Sequence, residues 1–197
     1  MTDQRIVVIT GAASGIGFAT AELFRDLGDK VYGLDIQPTV PEGVEYVECN
    51  VGDKAAVDAA IAHCAQDGRI DVLANVAGIV QFGRFDGITE AEYDRTLAVD
   101  LKGPFFLMQA ALPHLKACRG NIVNVSSVAG NKAQPYATAY AAAKGGLTML
   151  TRALALELTT DRVRVNAICP GTVDTPLVSQ VAEIYPTTST RGSPTGC

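Results

Sequence analysis

The stretch RIVVITGAASGIG, residues 5–17, passes from an apolar run directly into a glycine-rich turn. Its β-branched segment, IVVI, predicts a strand that is buried on both faces, as in a parallel sheet. Gly11, Gly15 and Gly17 let the backbone turn sharply and approach a ligand closely. The helix that is expected next presents free N–H groups and the positive end of its dipole, which suit a pyrophosphate.

The same strand–helix alternation continues along the chain. Further apolar runs predict strands over Lys30–Asp35, Val44–Val51, Ile70–Ala77, Asn121–Ser126 and Val163–Ile168. Helical periodicity covers residues 15–27, 53–65, 90–116 and 137–158, and Thr89 with Glu92 forms a capping box before the third helix. This alternation predicts an α/β protein with a Rossmann-type, doubly wound parallel sheet and helices on both faces.

Domain organisation follows from where the periodicity stops. We expect a single dinucleotide-binding and catalytic domain over residues 1–185. The tail, residues 186–197, reads PTTSTRGSPTGC, and its turn-forming and small polar residues predict an irregular or disordered segment.

Composition excludes several classes of partner. The chain has 197 residues and a net charge of −5, so broad attraction to nucleic acid or anionic membranes is not expected. No apolar run reaches the roughly 18 residues of a membrane span. The cysteines are odd in number, show no metal-ligand spacing and predict reduced thiols in a cytoplasmic protein without a metal. They are Cys49, Cys64, Cys118, Cys169 and Cys197, of which Cys49 and Cys169 are expected in the strand core.

An acidic residue ends the second predicted strand. Asp35 follows Gly17 by 18 residues, where an acid in dinucleotide folds accepts hydrogen bonds from the adenosine ribose and repels a 2′-phosphate. A solvated turn acid is the alternative interpretation. Ile36, rather than an arginine, comes next, so the pattern favours NAD over NADP.

The segment ATAYAAAKGG, residues 137–146, places a tyrosine and a lysine one helical turn apart. Tyr140 and Lys144 are therefore expected on the same helix face. The spacing alone favours an ordinary helix surface, and a phenol made acidic by a neighbouring ammonium group is the alternative.

Five motifs in order carry a family resemblance: TGAASGIG (residues 10–17), NVAG (75–78), SS (126–127), YAAAK (140–144) and CPGTVDTP (169–176). Together they resemble the short-chain dehydrogenase/reductase family, in its smaller single-domain branch, over about residues 5–177. The resemblance implies an NAD-dependent oxidoreductase that transfers a hydride between nicotinamide and a small secondary alcohol or ketone.

The resemblance also implies the catalytic roles. Tyr140 is the acid/base, Lys144 stabilises its phenolate and binds the nicotinamide ribose, and Ser127 holds the substrate oxygen. A lysine is needed because a free phenol, with a pKa of about 10, is a poor base at neutral pH. Ser126 is expected to point to the other face of its strand.

Cofactor contacts are implied in the same way. Asn50 and Val51 stand where the family has Asp-Val beside the adenine, and the segment after Cys169 cradles the nicotinamide. For Asn75 a strand-end turn remains an alternative. The full implied set is Gly11, Ser14, Gly15, Ile16, Gly17, Asp35, Ile36, Asn50, Val51, Asn75, Ala77, Gly78, Tyr140, Lys144, Pro170, Gly171, Val173 and Thr175. The residues expected to border the substrate pocket are Gln81, Phe82, Asn131 and Gln134.

Two features depart from the family pattern. The first is Asp100, in VDLKG, which stands where the family usually has an asparagine, at a break in the long helix. We include Asp100 in the catalytic set. A carboxylate at this position stabilises the Lys144 ammonium and opposes phenolate formation. The chain also ends early, so we expect it to lack the usual last helix and strand, with VSQVAEIY (residues 178–185) beginning a substrate-covering segment.

The sequence is also compatible with functions other than catalysis of alcohol–ketone interconversion. Asp100 and the early end also fit an NAD-binding family member with little or no catalysis, acting as a regulatory or assembly subunit. Nucleotide-sugar epimerases and dehydratases share Tyr-x-x-x-Lys but need a larger C-terminal domain.

The helices over residues 90–116 and 137–158, the fourth and fifth of the family, predict a homodimer interface.

Overall fold

Within the described residues, six parallel strands form one sheet, in the order β3-β2-β1-β4-β5-β6. The computed structural model describes residues 4–177. The strands are β1 (Ile6–Thr10), β2 (Lys30–Asp35), β3 (Glu45–Glu48), β4 (Val72–Asn75), β5 (Asn121–Val125) and β6 (Arg164–Ile168). The chain reverses its direction of travel across the sheet between β1 and β4, which is the point where open α/β sheets bind ligands. The predicted Rossmann-type fold is confirmed.

Helices cover both faces of the sheet. They are α1 (Gly15–Asp26), α2 (Lys54–Cys64), α3 (Glu90–Leu97), α4 (Gly103–Cys118) and α5 (Thr138–Glu157). On one face Ala21 of α1 is buried with Val7 and Ile9 of β1. On the other face the alternate β1 residues pack with α2 and α4, for example through Val57 and Leu107. The double cover explains why the strands are apolar at successive positions.

The predicted helix over residues 90–116 is helical throughout, but it is not an α-helix along its whole length. A π-helical turn, Ala98–Lys102, separates α3 from α4 and turns the Asp100 side chain into the interior. Thr89 and Glu92 form the predicted capping box at the start of α3. Gly103 begins α4 so close to the turn after β3 that a Cβ there would lie 2.7 Å from the Val51 carbonyl oxygen.

The cysteine positions correct one expectation. Cys49 is buried, immediately after β3, but Cys169 is half-exposed and follows the end of β6, so its placement in the strand core was wrong. The predicted strand, Val163–Ile168, already stopped one residue short of Cys169, and β6 also ends at Ile168. The described cysteines, Cys49, Cys64, Cys118 and Cys169, are all free thiols. Burial raises the pKa of the Cys49 thiol to about 11 and that of Cys64 to about 12.

Two further findings concern residues 4–177 as a whole. None of the helices there is both long and apolar enough to cross a membrane. Over the same residues, no three His, Cys, Asp or Glu side chains come together as ligands for a metal ion. The expectations for the substrate-covering segment, for the absent last helix and strand, and for the tail concern residues 178–197, which lie outside the described residues.

Candidate active site

The glycine turn after β1 has the backbone that the sequence pattern demands. Gly11 and Gly15 have positive φ angles of 71° and 53°, which disfavour any residue with a Cβ. A Cβ on Gly17 would lie only 2.0 Å from the Gly11 carbonyl oxygen. Ser14, the residue before α1, makes no side-chain capping bond, and the first turn of α1 has no acidic residue. The start of α1 therefore offers uncapped N–H groups, which suit a phosphate.

Asp35 lies beside this turn, at the end of β2. Its Oδ2 accepts a hydrogen bond from the Ala13 N–H at 3.0 Å, and its Oδ1 accepts one from the Gln37 N–H at 3.0 Å. Each carboxylate oxygen has two acceptor sites, so Asp35 retains capacity for a further donor such as a ribose hydroxyl.

Thr10 joins the glycine turn to the loop after β4. Its buried Oγ1 accepts hydrogen bonds from the Val76 and Ala77 N–H groups, both at 3.0 Å. The two segments are in close contact, because a Cβ on Gly11 would lie 2.8 Å from the Ala77 Cα. Thr10 belongs to the turn motif, but its role in joining the two segments was not predicted, although a threonine at the end of an otherwise apolar strand was an available signal.

Asn75 lies at the expected strand end, but its side chain points into the interior. It is 2% exposed, and its Nδ2 donates to Asn124 Oδ1 at 2.8 Å. Asn124 Nδ2 in turn donates to Thr151 Oγ1 of α5 at 2.9 Å. The Asn75 side chain thus links β4 to β5 in the interior. A cofactor contact at Asn75 remains a prediction, and it would use the backbone of this residue. Sequence reasoning missed Asn124.

The two serines after β5 point in opposite directions, as strand alternation predicts. Ser126 Oγ donates to the Lys144 carbonyl oxygen at 2.9 Å and lies 2.7 Å from Thr148 Oγ1. Ser127 Oγ accepts from the Ala129 N–H at 3.1 Å and caps a short 3-10 turn. This turn packs against α5 so closely that a Cβ on Gly130 would lie 2.7 Å from the Lys144 carbonyl carbon.

Lys144 is buried where several elements meet. Its Nζ donates to the Val125 carbonyl oxygen at 3.0 Å, two residues before Ser127. The same Nζ lies 5.7 Å from the centroid of the Tyr140 ring, one turn earlier on α5. The lysine therefore contacts the strand end that carries Ser127 and also lies near the phenol.

Asp100 is the fourth side chain of this cluster. It is fully buried, and its Oδ1 lies 3.0 Å from Lys144 Nζ. The Ile79 N–H is 3.3 Å from both carboxylate oxygens. Burial raises the pKa of the Asp100 carboxyl, and the Lys144 ammonium and the Ile79 amide oppose that rise. The structure thus places an ion pair in the interior of the site.

The segment after β6 crosses the carboxyl edge of the sheet. The Pro170 carbonyl oxygen accepts from the Val128 N–H at 3.0 Å, which fixes the segment beside Ser127. At its far end a Cβ on Gly15 would lie 3.2 Å from Thr175 Cγ2. Thr175 Oγ1 donates to the Val173 carbonyl oxygen at 3.3 Å. The segment therefore bridges the catalytic cluster and the glycine turn.

Other predicted positions lie at the margins of the site. Asn50 is exposed, and its Oδ1 accepts from the Gly52 N–H at 3.0 Å, whereas Val51 is buried. Gln81 Nε2 donates to Glu92 Oε1 at 3.0 Å, and Asn131 Nδ2 donates to Cys169 Sγ at 3.1 Å. These contacts show that Gln81 and Asn131 hold neighbouring segments together.

A match to known proteins identifies the class. Residues 5–185 match the family model described as short chain dehydrogenase. The chain belongs to the short-chain dehydrogenase/reductase family of oxidoreductases, which bind a nicotinamide cofactor. Its six-stranded sheet and helices agree with the fold of solved members.

Individual relatives come from a fungus and from a bacterium. The chain is 37% identical to the short-chain dehydrogenase/reductase olcF of Penicillium canescens, over 91% of this chain and 73% of the relative. It is 37% identical to the 3-oxoacyl-[acyl-carrier-protein] reductase FabG of Thermotoga maritima, over 92% and 79% respectively.

Solved structures show the same architecture. A ligand-free aldohexose dehydrogenase from Thermoplasma acidophilum superposes with a TM-score of 0.88 at 37% identity, over 92% of this chain and 72% of that one. A 3-ketoacyl-(acyl-carrier-protein) reductase from Brucella melitensis, complexed with NADH, gives a TM-score of 0.84 at 29% identity, over 89% and 78%.

Proposed function

We propose that this protein is an NAD-dependent oxidoreductase that interconverts a small secondary alcohol and its ketone, with Tyr140 as the acid/base. One observation carries the proposal. Lys144 Nζ hydrogen-bonds the Val125 carbonyl oxygen at the strand end that leads to Ser127, and it lies 5.7 Å from the Tyr140 ring. A hydroxyl, a phenol and a buried ammonium group therefore share one end of the sheet.

The residues present fit a dinucleotide. The tight glycine turn, which leaves no room for a Cβ on Gly17, brings its backbone next to the uncapped start of α1, and this supports a pyrophosphate site. Asp35 would bind the adenosine ribose and repel a 2′-phosphate, which supports NAD over NADP. The segment from Pro170 to Thr175 would hold the nicotinamide. When bound, the nicotinamide supplies or accepts the hydride.

The chain's own side chains handle the oxygen and the proton. Ser127 Oγ would donate a hydrogen bond to the substrate oxygen and orient it. The Tyr140 phenolate would take the alcohol proton during oxidation, and the Tyr140 hydroxyl would give its proton to the ketone oxygen during reduction. The Lys144 ammonium stabilises the phenolate because opposite charges attract strongly where little water screens them.

An activity scan tests this proposal. Purified protein is offered NAD⁺ with a panel of secondary alcohols and NADH with the matching ketones, and absorbance of NADH is followed. We expect turnover with at least one pair and a loss of about 10³-fold or more in Tyr140→Phe. Tyr93→Phe, at an exposed position on α3, is the matched control and keeps activity. Turnover that survives in Tyr140→Phe contradicts the assigned role.

A second candidate function is an NAD-binding subunit with little or no catalysis. The observation that favours it is the carboxylate of Asp100, 3.0 Å from Lys144 Nζ, which offsets the charge that the phenolate needs. NADH fluorescence separates the two candidates. Binding without turnover on any substrate, unchanged by Tyr140→Phe, supports the subunit and rejects the enzyme.

A homodimer through α4 and α5 is also part of the proposal. Both helices expose large apolar side chains, with Phe105 at 43% exposed, Met149 at 60% and Leu156 at 79%. Such side chains are typical of buried interface positions. Size-exclusion chromatography with light scattering is expected to give the mass of two chains, and a mass of one chain contradicts the dimer.

A further inference from the structure

The Asp100–Lys144 pair is the most deeply buried ion pair among the described residues, with side chains 0% and 4% exposed. Burying two charges is costly unless their geometry and hydrogen bonding are good. The presence of an ion pair at this buried position therefore needs a physical explanation.

Three separate elements converge on this pair. Asp100 comes from the π-helical turn between α3 and α4, Lys144 from α5, and the Ile79 N–H from the loop after β4. A Cβ on Gly78 would lie 2.7 Å from Asp100 Oδ1 and 3.2 Å from Lys144 Nζ, so the loop can pass here only as glycine.

The contacts define where the lysine can point. Two N–H groups of Lys144 donate, one to Asp100 Oδ1 and one to the Val125 carbonyl oxygen, both at 3.0 Å. An ammonium group has three donors, so one remains for the cofactor or the phenol. The protein alone therefore orients Lys144.

We propose that Asp100 is a positioning residue that holds Lys144 directly and, by offsetting its charge, favours the proton-donating phenol of Tyr140, so that the site is poised for carbonyl reduction near neutral pH. This inference rests on the proposed function. It goes further by assigning the favoured direction of proton transfer to one side chain.

The carboxylate of Asp100 weakens the field that the Lys144 ammonium group exerts on the Tyr140 phenol. An isolated ammonium group near a phenol favours loss of the phenolic proton, whereas an ammonium paired with a carboxylate at 3.0 Å presents a weaker field. Among the described residues, Lys144 is the titratable group whose charge acts on Asp100, and its Nζ lies 5.7 Å from the centroid of the Tyr140 ring. The net charge near the phenol is thus close to zero.

The two directions of reaction respond differently. In reduction the Tyr140 O–H bond breaks and its proton goes to the carbonyl oxygen, while the carbon receives a hydride from the reduced nicotinamide, which is thereby oxidised. In oxidation the phenol must first lose its proton to solvent before it can accept the alcohol proton. Asp100 therefore shifts alcohol oxidation to alkaline pH and leaves reduction active at neutral pH.

The first test is Asp100→Asn, which keeps the size and an acceptor for the Ile79 N–H but removes the charge. We expect the pH at which alcohol oxidation reaches half its maximal rate to fall by about one unit. At neutral pH the ratio of oxidation to reduction rates then rises by up to about tenfold. Asp94→Asn, at an exposed position on α3, is the matched control and leaves the profile in place. An unchanged profile in Asp100→Asn overturns the inference.

The second test needs neither cofactor nor activity. Thermal unfolding is measured for Asp100→Asn, Lys144→Met and the double variant. Lys144→Met leaves a buried carboxylate unpaired and is expected to lower Tm sharply, and the added Asp100→Asn change is expected to restore at least about half of that loss. Additive losses contradict the direct contact between the two side chains.

Together, the two tests distinguish a failure of the proposed function from a failure of the role assigned to Asp100. Coupled unfolding without any turnover in the wild-type chain rejects the proposed function, and with it the favoured direction, but supports the positioning role. Turnover with additive unfolding losses or an unshifted profile rejects the role of Asp100 alone.

Discussion

The β1–β3 half of the carboxyl edge is built from main chain, whereas the β4–β6 half is built from side chains. In the first half Gly11 and Gly17 shape a turn, and Asp35 is held by backbone N–H groups. In the second half the buried pair Asp100–Lys144 lies between three elements. Under the proposed function, the pyrophosphate and adenosine contacts belong to the first half and proton transfer belongs to the second, so a substitution in one half is expected to affect the other only weakly.

The largest expected effect is in the main-chain half. Gly17→Ala places a Cβ 2.0 Å from the Gly11 carbonyl oxygen, so the backbone of the turn must move. We expect NADH affinity to fall by about 100-fold or more, which corresponds to about 2.7 kcal/mol. Fluorescence titration with NADH measures this loss. Gly87→Ala is the matched control, since a Cβ there meets nothing within 4 Å. Binding within about threefold of wild type in Gly17→Ala contradicts the main-chain account.

The second prediction uses the adjacent serines to sharpen the contrast in the side-chain half. Ser127→Ala is expected to lower turnover by about 100-fold because the substrate oxygen loses a donor, with NADH affinity retained. Ser126→Ala removes contacts to the Lys144 carbonyl oxygen and Thr148 Oγ1, so we expect it to lower Tm by about 3 °C instead. Kinetics and thermal unfolding of both variants check this. Equal effects of the two substitutions on turnover contradict the assigned orientations.

A smaller effect is expected at Asp35. Asp35→Ser removes the charge that repels a 2′-phosphate while keeping an oxygen for the Ala13 N–H, which now lies 3.0 Å from Asp35 Oδ2. We expect the ratio of NADPH to NADH affinity to rise by about tenfold. Parallel titrations with the two cofactors measure the ratio. An unchanged ratio, matching that of an Asp94→Ser control, removes the argument for NAD preference.

The smallest predicted effect concerns thiol reactivity. Burial raises the pKa of Cys49 to about 11 and that of Cys64 to about 12, so the neutral thiol is the favoured form. At pH 8 only about one thiol in a thousand is then a thiolate at Cys49, and fewer at Cys64. We expect alkylation of the folded protein, mapped by mass spectrometry, to modify half-exposed Cys169 well before either. Labelling of Cys64 at the rate of Cys169 contradicts the packing beneath the sheet.

The raised pKa values of Cys49 and Cys64 also predict the pH range over which these thiols do not affect the stability of the fold. A raised thiol pKa contributes stability that is fully present below the unfolded value and is lost as pH rises through the folded value. For Cys49 that loss extends up to about pH 11. Near neutral pH, Cys49 and Cys64 are therefore expected to leave the free energy of unfolding unchanged.

Sequence predicted the main-chain half well because its signals are local. The glycine spacing, the preceding apolar strand and Asp35 lie within about one strand–helix–strand unit, so their geometry follows from short-range rules. Helical periodicity alone predicted one continuous helix over residues 90–116, and only the family resemblance indicated a break near Asp100. The π-helical turn itself depends on packing against distant segments.

The side-chain half was harder to predict from the sequence because its contacts join residues that are far apart along the chain. Asn75 faces the interior because the register pairs it with Asn124, 49 residues away. The Asp100–Lys144 contact likewise depends on how α5 packs against the helix break. Residue types and spacings gave the candidate side chains of the site, and tertiary packing determined which of them touch.

The most direct test of the separation between the halves is NADH binding to the double variant Ser127→Ala/Tyr140→Phe. The glycine turn and Asp35 are untouched, so the dissociation constant is expected to stay within about threefold of wild type. In the same samples, turnover on the best substrate pair is expected to fall by at least about 10³-fold. Loss of NADH binding together with turnover, or turnover that persists, would contradict the account.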